Sequence, residues 1–268
     1  MGFRLGNYNI DEILYGVSQN FNDDILYTLD QLSNASIEIS ADPTEIKDKN
    51  GNVVRTIYKT KTGKLSAKNA FLHVELQNAA SGSNIETASL EKPIDMPKIE
   101  VVAAGKTLDI TDAVEGTIHV IGLYGNGANG KNLTQSSSAD YTAGTFGVAE
   151  HILTVPAAKE DDPIQYLVKY QRKSKSGIKL TNTVNKFPDT QRMTFFCSYM
   201  DPCSDGLKPC YVYLPSFMPD PSVTVSLDRE AQEMDFNGTL QIDYCATDKP
   251  LYYIFFPGDE SVYSGAAA

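Results

Sequence analysis

The stretch EIKDKNGNVVRTIYKTK, residues 45–61, decides how the rest of the chain is read. Residues 45–49 and 53–61 carry strand-forming residues, and Asn50-Gly51 stands between them. Asn-Gly accepts the positive φ of a type I′ turn, whose twist matches its flanking strands, so the stretch predicts a β-hairpin over 44–64. Lys47, Lys49, Arg55, Lys59 and Lys61 crowd it with positive charge, and Tyr58 is its single aromatic residue. Its faces are largely polar, which predicts a ribbon that projects rather than one that lies in a core.

On the N-terminal side, residues 36–41 alternate apolar and polar, with Ile37 and Ile39 on one side, and read as a strand. Residues 1–34 are polar and aromatic. Ile13, Leu14 and Val17 fit one short helical face, and Ile25, Leu26 and Leu29 another, broken by Gly16 and residues 20–24. The expectation is an N-terminal arm, 1–34, lying on other structure. On the C-terminal side, Ser66 suits an N-cap, and Ala67, Ala70, Phe71 and Val74 recur at helical spacing. This predicts a helix over 67–80, ended by Gly82.

Past a Ser/Pro-rich connection at 83–98, strand patterns recur at roughly 8–12-residue spacing. They cover 99–103, 107–110, 116–124, 144–149, 151–156, 164–172, 177–182, 192–199, 209–215, 221–227, 234–244 and 251–256, with a Gly/Asn/Ser loop at 125–140. Helical segments between these strands are missing, so parallel βαβ units are not supported. The fold class is mainly β: a β-sandwich with one flanking α-helix, forming a single domain over 35–258 and followed by a flexible tail at 259–268.

The whole chain has 268 residues, a length at which roughly 70–75% of the unfolded surface is buried on folding. Its net charge of −11 argues against a protein that grips nucleic acid, since such proteins cluster Lys and Arg to neutralise phosphates. The same charge disfavours anionic membranes, and no run approaches the roughly 20 apolar residues of a membrane span. Residues 1–9 hold one Arg and no apolar run, so the expectation is a protein that stays in the cytoplasm where it is made.

Motifs of chemistry are weak. Residues 124–132, YGNGANGKN, contain G-x-G-x-x-G after a strand and come close to the phosphate loop G-x-x-x-x-G-K-[ST]. Asn132 stands where the magnesium-binding hydroxyl belongs, and no helical face follows, so a surface loop is expected. Cys197, Cys203, Cys210 and Cys245 lack the two close pairs of a structural zinc site. In a reducing compartment they are expected to be free thiols. His73, His119 and His151 are the available imidazoles, and no nucleophile elbow or H-E-x-x-H stands beside them. The reading is of no catalytic residue, no cofactor and no metal. The basic hairpin lacks the interleaved aromatics of base stacking, so contact with an acidic patch on another copy is favoured over nucleic acid, against the plainer alternative of a solvated strand face. Lys47, Lys49, Asn50, Gly51, Arg55, Tyr58, Lys59 and Lys61 are the candidate inter-subunit residues.

Two stretches resemble the major tail (tail tube) proteins of tailed phages. One runs from Asn34-Ala35-Ser36-Ile37-Glu38-Ile39 through the Asn50-Gly51 hairpin to Ser66-Ala67-Lys68-Asn69-Ala70-Phe71. The other joins Tyr211-Val212-Tyr213-Leu214-Pro215-Ser216, Val223-Thr224-Val225-Ser226-Leu227 and the strand that starts Asp235-Phe236-Asn237-Gly238-Thr239 and reaches Cys245. The cover is about half of the chain, and no single motif is diagnostic. The resemblance implies a structural virion protein whose sandwich forms hexameric rings with a shared inner barrel. Rings would stack through hairpins and terminal arms into a channel for the genome and the tape-measure protein, with a tail sheath and tail terminator as further partners. Rival readings are a capsid decoration or baseplate β-domain, and a carbohydrate-binding host-attachment module. The last is disfavoured by the absence of Trp, the usual sugar-stacking residue.

Overall fold

The computed structural model describes residues 5–71, 73–202, 206–225 and 233–258. The chain is mainly β, as its sequence predicts. In order it forms β1 (Asn9–Gln19), β2 (Ile25–Leu29), β3 (Leu32–Lys47), β4 (Val53–Asn69), α1 (Val74–Ser81), β5 (Asn84–Thr87), β6 (Ile94–Ala103), β7 (Thr107–Asp109) and β8 (His119–Leu123). There follow β9 (Asn129–Ser136), β10 (Thr145–Ala149), β11 (Ile152–Thr154), β12 (Gln165–Ser174), β13 (Ile178–Thr181), β14 (Gln191–Met200), β15 (Leu207–Pro219), β16 (Met234–Leu240) and β17 (Tyr253–Phe255). No helix among the described residues is long and apolar enough to cross a membrane.

Where the sequence predicts one domain over 35–258, the chain divides into two compact units, each with its own apolar cluster. The first comprises the chain up to Asn84 and from Leu180 onward; the second is Ile85–Lys179. β5 and β13 form a separate two-stranded sheet.

The first unit is built on a sheet of order β2-β1-β14-β15-β16-β4-β3, with β17 also on β15. Burial strictly alternates in β16, where Met234, Phe236, Gly238 and Leu240 face inward. The same period runs through the second half of β4, at Gly63, Leu65, Ala67 and Asn69. Alternation of this kind puts one face of each strand in the core, each fully buried Leu or Phe contributing about 1.5–3 kcal/mol. Phe195, Cys197, Tyr199, Val212, Leu214 and Phe217 complete this core from β14 and β15, and Leu76 of α1 packs onto it. The second unit is a seven-stranded sheet of order β6-β12-β8-β9-β10-β11-β7, its core formed by Val120, Phe146, Leu153, Tyr166, Val168 and Tyr170 among others.

Four expectations are corrected. The helix predicted over 67–80 begins later. Residues up to Asn69 continue β4, where Ser66 pairs with Asn237 and Ala67 with Phe236, so Ser66 is a ladder residue rather than a cap. His73 caps α1 instead, its Nδ1 accepting from the Leu76 N–H at 3.2 Å. Gly82, with φ of 64°, ends the helix as its position in the sequence suggests.

The helical faces expected within the 1–34 arm are strands β1 and β2 of the large sheet, β1 pairing with β14 along its length. The loop expected over 125–140 contains β9, which pairs with both β8 and β10. The strand expected at 221–227 has no regular structure over residues 222–225, and its last two residues lie outside the described residues. So do Cys203, residues 1–4 of the expected arm, and the expected tail at 259–268.

Candidate functional site

β3 and β4 run together far beyond the body of the sheet. From Asp42 to Thr62 every residue is exposed. The turn at the tip differs from the predicted type I′. Gly51 N–H donates to the Asp48 carbonyl at 3.0 Å and Asp48 N–H to the Asn52 carbonyl at 2.9 Å; of Asn50 and Gly51, only Gly51 takes a positive φ, 85°. The Asp48 carboxylate explains the choice. It accepts from the N–H groups of Asn50 at 2.8 Å and Asn52 at 2.9 Å, and from the Asn52 side chain at 3.1 Å, which fixes a wider loop around Asp48. The Asn52 side-chain donor, with the backbone donors, holds the Asp48 carboxyl below the usual carboxylate range.

All eight candidate contact residues lie on this ribbon or its turn, but they do not share one face. Facing pairs on a ladder point the same way, and successive pairs alternate. Ile46 opposite Arg55 and Thr44 opposite Ile57 therefore share one side. Pro43 opposite Tyr58, Glu45 opposite Thr56 and Lys47 opposite Val53 share the other, where Lys47 and Glu45 form an ion pair at 3.1 Å. Lys59 sits at a register shift between the pairs Pro43–Tyr58 and Ala41–Lys61. The predicted polar character is only half of the picture. Val54 is 69% exposed, Tyr58 65%, Val53 49% and Ile46 48%. These apolar residues were hidden by the attention that charge draws; the signal available was the β-branched run beside the turn.

A second surface of the first unit was not foreseen. Tyr15 faces Phe196, Phe196 faces Tyr211 and Tyr211 faces Phe255, so one aromatic row crosses β1, β14, β15 and β17. Its residues alternate with Phe195, Cys197, Cys210 and Val212, which point into the core, so the row lies on the opposite face. Phe196 and Tyr211 stack at 5.2 Å between ring centroids, and Tyr213 and Tyr253 stack at 6.2 Å in the next row. Tyr15 is 57% exposed and Phe255 51%. The signal was the period-two spacing of aromatic residues in 211–213 and 253–255.

The glycine motif of the second unit closes a hairpin between β8 and β9. Tyr124 N–H donates to the Ala128 carbonyl at 3.0 Å, Gly127 N–H donates to the Tyr124 carbonyl at 2.9 Å, and Gly127 takes a φ of 83°. This is the turn of residues 48–52 again, with Gly127 in the place of Gly51. Lys131 lies on β9, its ammonium over the Tyr141 ring at 4.7 Å and donating to the Thr142 carbonyl at 3.0 Å.

The thiols are similarly placed by the sheet. Cys197 and Cys210 face each other across β14 and β15, both buried and free; Cys245 is free and exposed. Hydrogen bonding to Cys210, together with burial, pushes the Cys197 thiol far up, holding it protonated. Among the described residues no three His, Cys, Asp or Glu side chains gather in a way that would hold a metal ion.

The sequence profile of the YomU/Tube protein family matches residues 14–253. This chain belongs to that family. Its match spans both units and includes β3, β4 and their ribbon, β14 through β16 and the second unit inserted between α1 and β14. Membership agrees with the tail tube resemblance carried by residues 34–71 and 211–245, and makes the chain a structural component of a phage tail. No curated protein sequence matches it significantly.

Proposed function

We propose that this YomU/Tube family chain is the repeating subunit of a phage tail tube. Copies form hexameric rings that stack into a channel through which the genome and the tape-measure protein pass. The observation that carries the reading is the ribbon from Asp42 to Thr62, which holds Ile46, Val53, Val54 and Tyr58 in water on an element with no core of its own. Apolar side chains presented on a stiff projection are buried when a partner covers them. The aromatic row across β1, β14, β15 and β17 supports the same reading, because a lone subunit leaves its ends wet.

The ribbon and the N-terminal strands are the contacts between copies, with Lys47, Lys49, Asn50, Gly51, Arg55, Tyr58, Lys59 and Lys61 at the junction between rings. The net charge of −11 suits a conduit that phosphates traverse without sticking. The role is structural, with no catalytic step assigned to any residue. A tail sheath and tail terminator are proposed as neighbours in the virion, and the host cytoplasm as the place of assembly.

Negative-stain microscopy of the purified full chain tests this. Long hollow tubes with sixfold end views are expected; a protein that stays monomeric or forms only compact trimers at all concentrations would overturn it.

A further inference from the structure

β2 pairs with β1 only from Gly16 to Gln19, and among the described strands only β4 pairs with β3. The remaining edge of β1, toward its N-terminal end, is thus open among the described strands, as is the outer edge of β3. Between these two edges lies an open groove of about 650 Å³. Leu65, Phe195, Val212 and Ile254 give it an apolar floor, while Asp11 and Glu12 stand in its wall and, among the described residues, no Lys, Arg or His lines it. Unpaired N–H and C=O groups beside an apolar floor favour an extended segment as occupant.

We propose that the groove receives the tip of the β3–β4 ribbon of a second copy of this chain. The inference rests on the self-assembly reading above and names the receiving surface. The two surfaces complement each other. The tip carries Ile46 and Arg55 on one side, Ile46 toward the apolar floor and Arg55, with Lys49 of the turn, toward Asp11 and Glu12. Opposite charges at the rim orient the encounter and fix register more than they add affinity.

The occupant comes from another copy because the ribbon points away from its own groove. Ile37 in the groove wall and Lys47 at the tip lie on the same strand, ten residues apart, so they are separated by about 33 Å. Unlike surfaces joined in this way repeat head to tail, each copy giving a tip and taking one.

The test uses the full chain carrying Asp11→Lys and Glu12→Lys, both exposed positions, with folding checked by circular dichroism. Sedimented assemblies are expected to fall at least tenfold, and Lys49→Glu with Arg55→Glu in the same chain should restore them. As a second measurement, Asp11→Cys and Lys49→Cys chains are mixed in a Cys203→Ser/Cys245→Ser background and treated with a short bismaleimide. A crosslinked dimer is expected from the mixture and not from either chain alone. If the groove variant assembles like the wild type, or the mixture gives no such dimer while tubes form, the groove inference is wrong and the tube reading stands. A wild-type chain that never assembles overturns both.

Discussion

Gly238→Ala tests whether the tight packing between β15 and β16 holds the first unit together. Gly238 lies opposite Pro219 on one side and Leu65 on the other. A Cβ there would stand 2.5 Å from the Met218 carbonyl oxygen and 2.5 Å from two ring carbons of Phe217. Neither neighbour yields easily. The oxygen belongs to the backbone of the paired strand. The Phe217 ring is fully buried and packs on Phe236 at 5.4 Å between centroids. Relief therefore requires β15 and β16 to move apart by about 1 Å, since unstrained contacts between carbons lie near 3.5–4.0 Å. Overpacking a core costs typically about 1–3 kcal/mol, and a clash with both backbone and a locked ring belongs at the upper end. The unfolded-state gain of replacing glycine by alanine, about 0.4–1 kcal/mol, offsets a part, leaving roughly 2–3 kcal/mol. In a unit of this size each kcal/mol moves the melting temperature by about 2–4 °C, so a fall of roughly 5–10 °C is expected. Scanning calorimetry on unassembled protein measures it, with circular dichroism as a second probe because the chain has no Trp. Gly6→Ala, where a Cβ meets nothing within 4 Å, is the control and should leave the melt unchanged. A Gly238→Ala melt within about 2 °C of the wild type would refute the packing argument.

Excising residues 43–58 and closing Asp42 to Lys59 with Asn-Gly should change stability by less than about 1 kcal/mol, because everything removed is exposed, yet abolish tubes. Normal tubes in the microscope would show that the ribbon is not a junction. In a Cys203→Ser chain, an aromatic disulfide reagent should modify Cys245 at once and Cys197 and Cys210 only on unfolding. Fast modification of all three in native protein would contradict the buried pairing. Asp48 has a folded pKa below its unfolded value, so its contribution to the turn is present above the unfolded carboxylate value near 3.9 and is lost as pH falls through the lower, folded one. The Asn50 and Asn52 amide resonances should accordingly titrate with a midpoint below the ordinary carboxylate range, and a midpoint of about 4 or higher would count against the Asp48 cap.

The β class was legible because it rests on local pattern: alternation, turn residues and their spacing. What escaped depends on partners far along the chain. Ala67, Ala70, Phe71 and Val74 fit a helical face, but Gly63, Leu65, Ala67 and Asn69 fit a strand just as well, and β16 resolves the conflict by pairing from Met234 to Leu240. The N-terminal stretch misled for a related reason. Tyr15 points to one face of the sheet while Gly16 and Ser18 are buried on the other, so the strand is not apolar on a single side and its alternation is blurred. The turn type was lost to one side chain, since Asn50-Gly51 favours a two-residue loop until Asp48 caps a wider one. Of the candidate contact surface, the charged residues stood out because charge is conspicuous in any strand. Ile46, Val53 and Val54 resembled ordinary strand residues until their exposure was known. The groove and the aromatic row were out of reach, as both are made by strands more than a hundred residues apart in sequence.

Charge and exposure on this chain are arranged in opposition, which bears on how copies choose one another. The ribbon from 42 to 62 carries five basic and three acidic residues, leaving 18 basic and 31 acidic residues to everything else. Two bodies repel one another at long range, whereas a ribbon and a body attract. Such a distribution disfavours the symmetric association of like surfaces and favours contact between unlike ones, the kind that gives polarity to a ring or a stack. Apolar residues on the ribbon then act only at short range, once charge has set the approach. A projection that was wholly apolar would pair with its own kind along its open edges, as exposed strands do. On the proposed reading, Lys47, Lys49, Arg55, Lys59 and Lys61 would therefore serve twice: they would oppose the pairing of two ribbons and direct each ribbon to the acidic body of another copy.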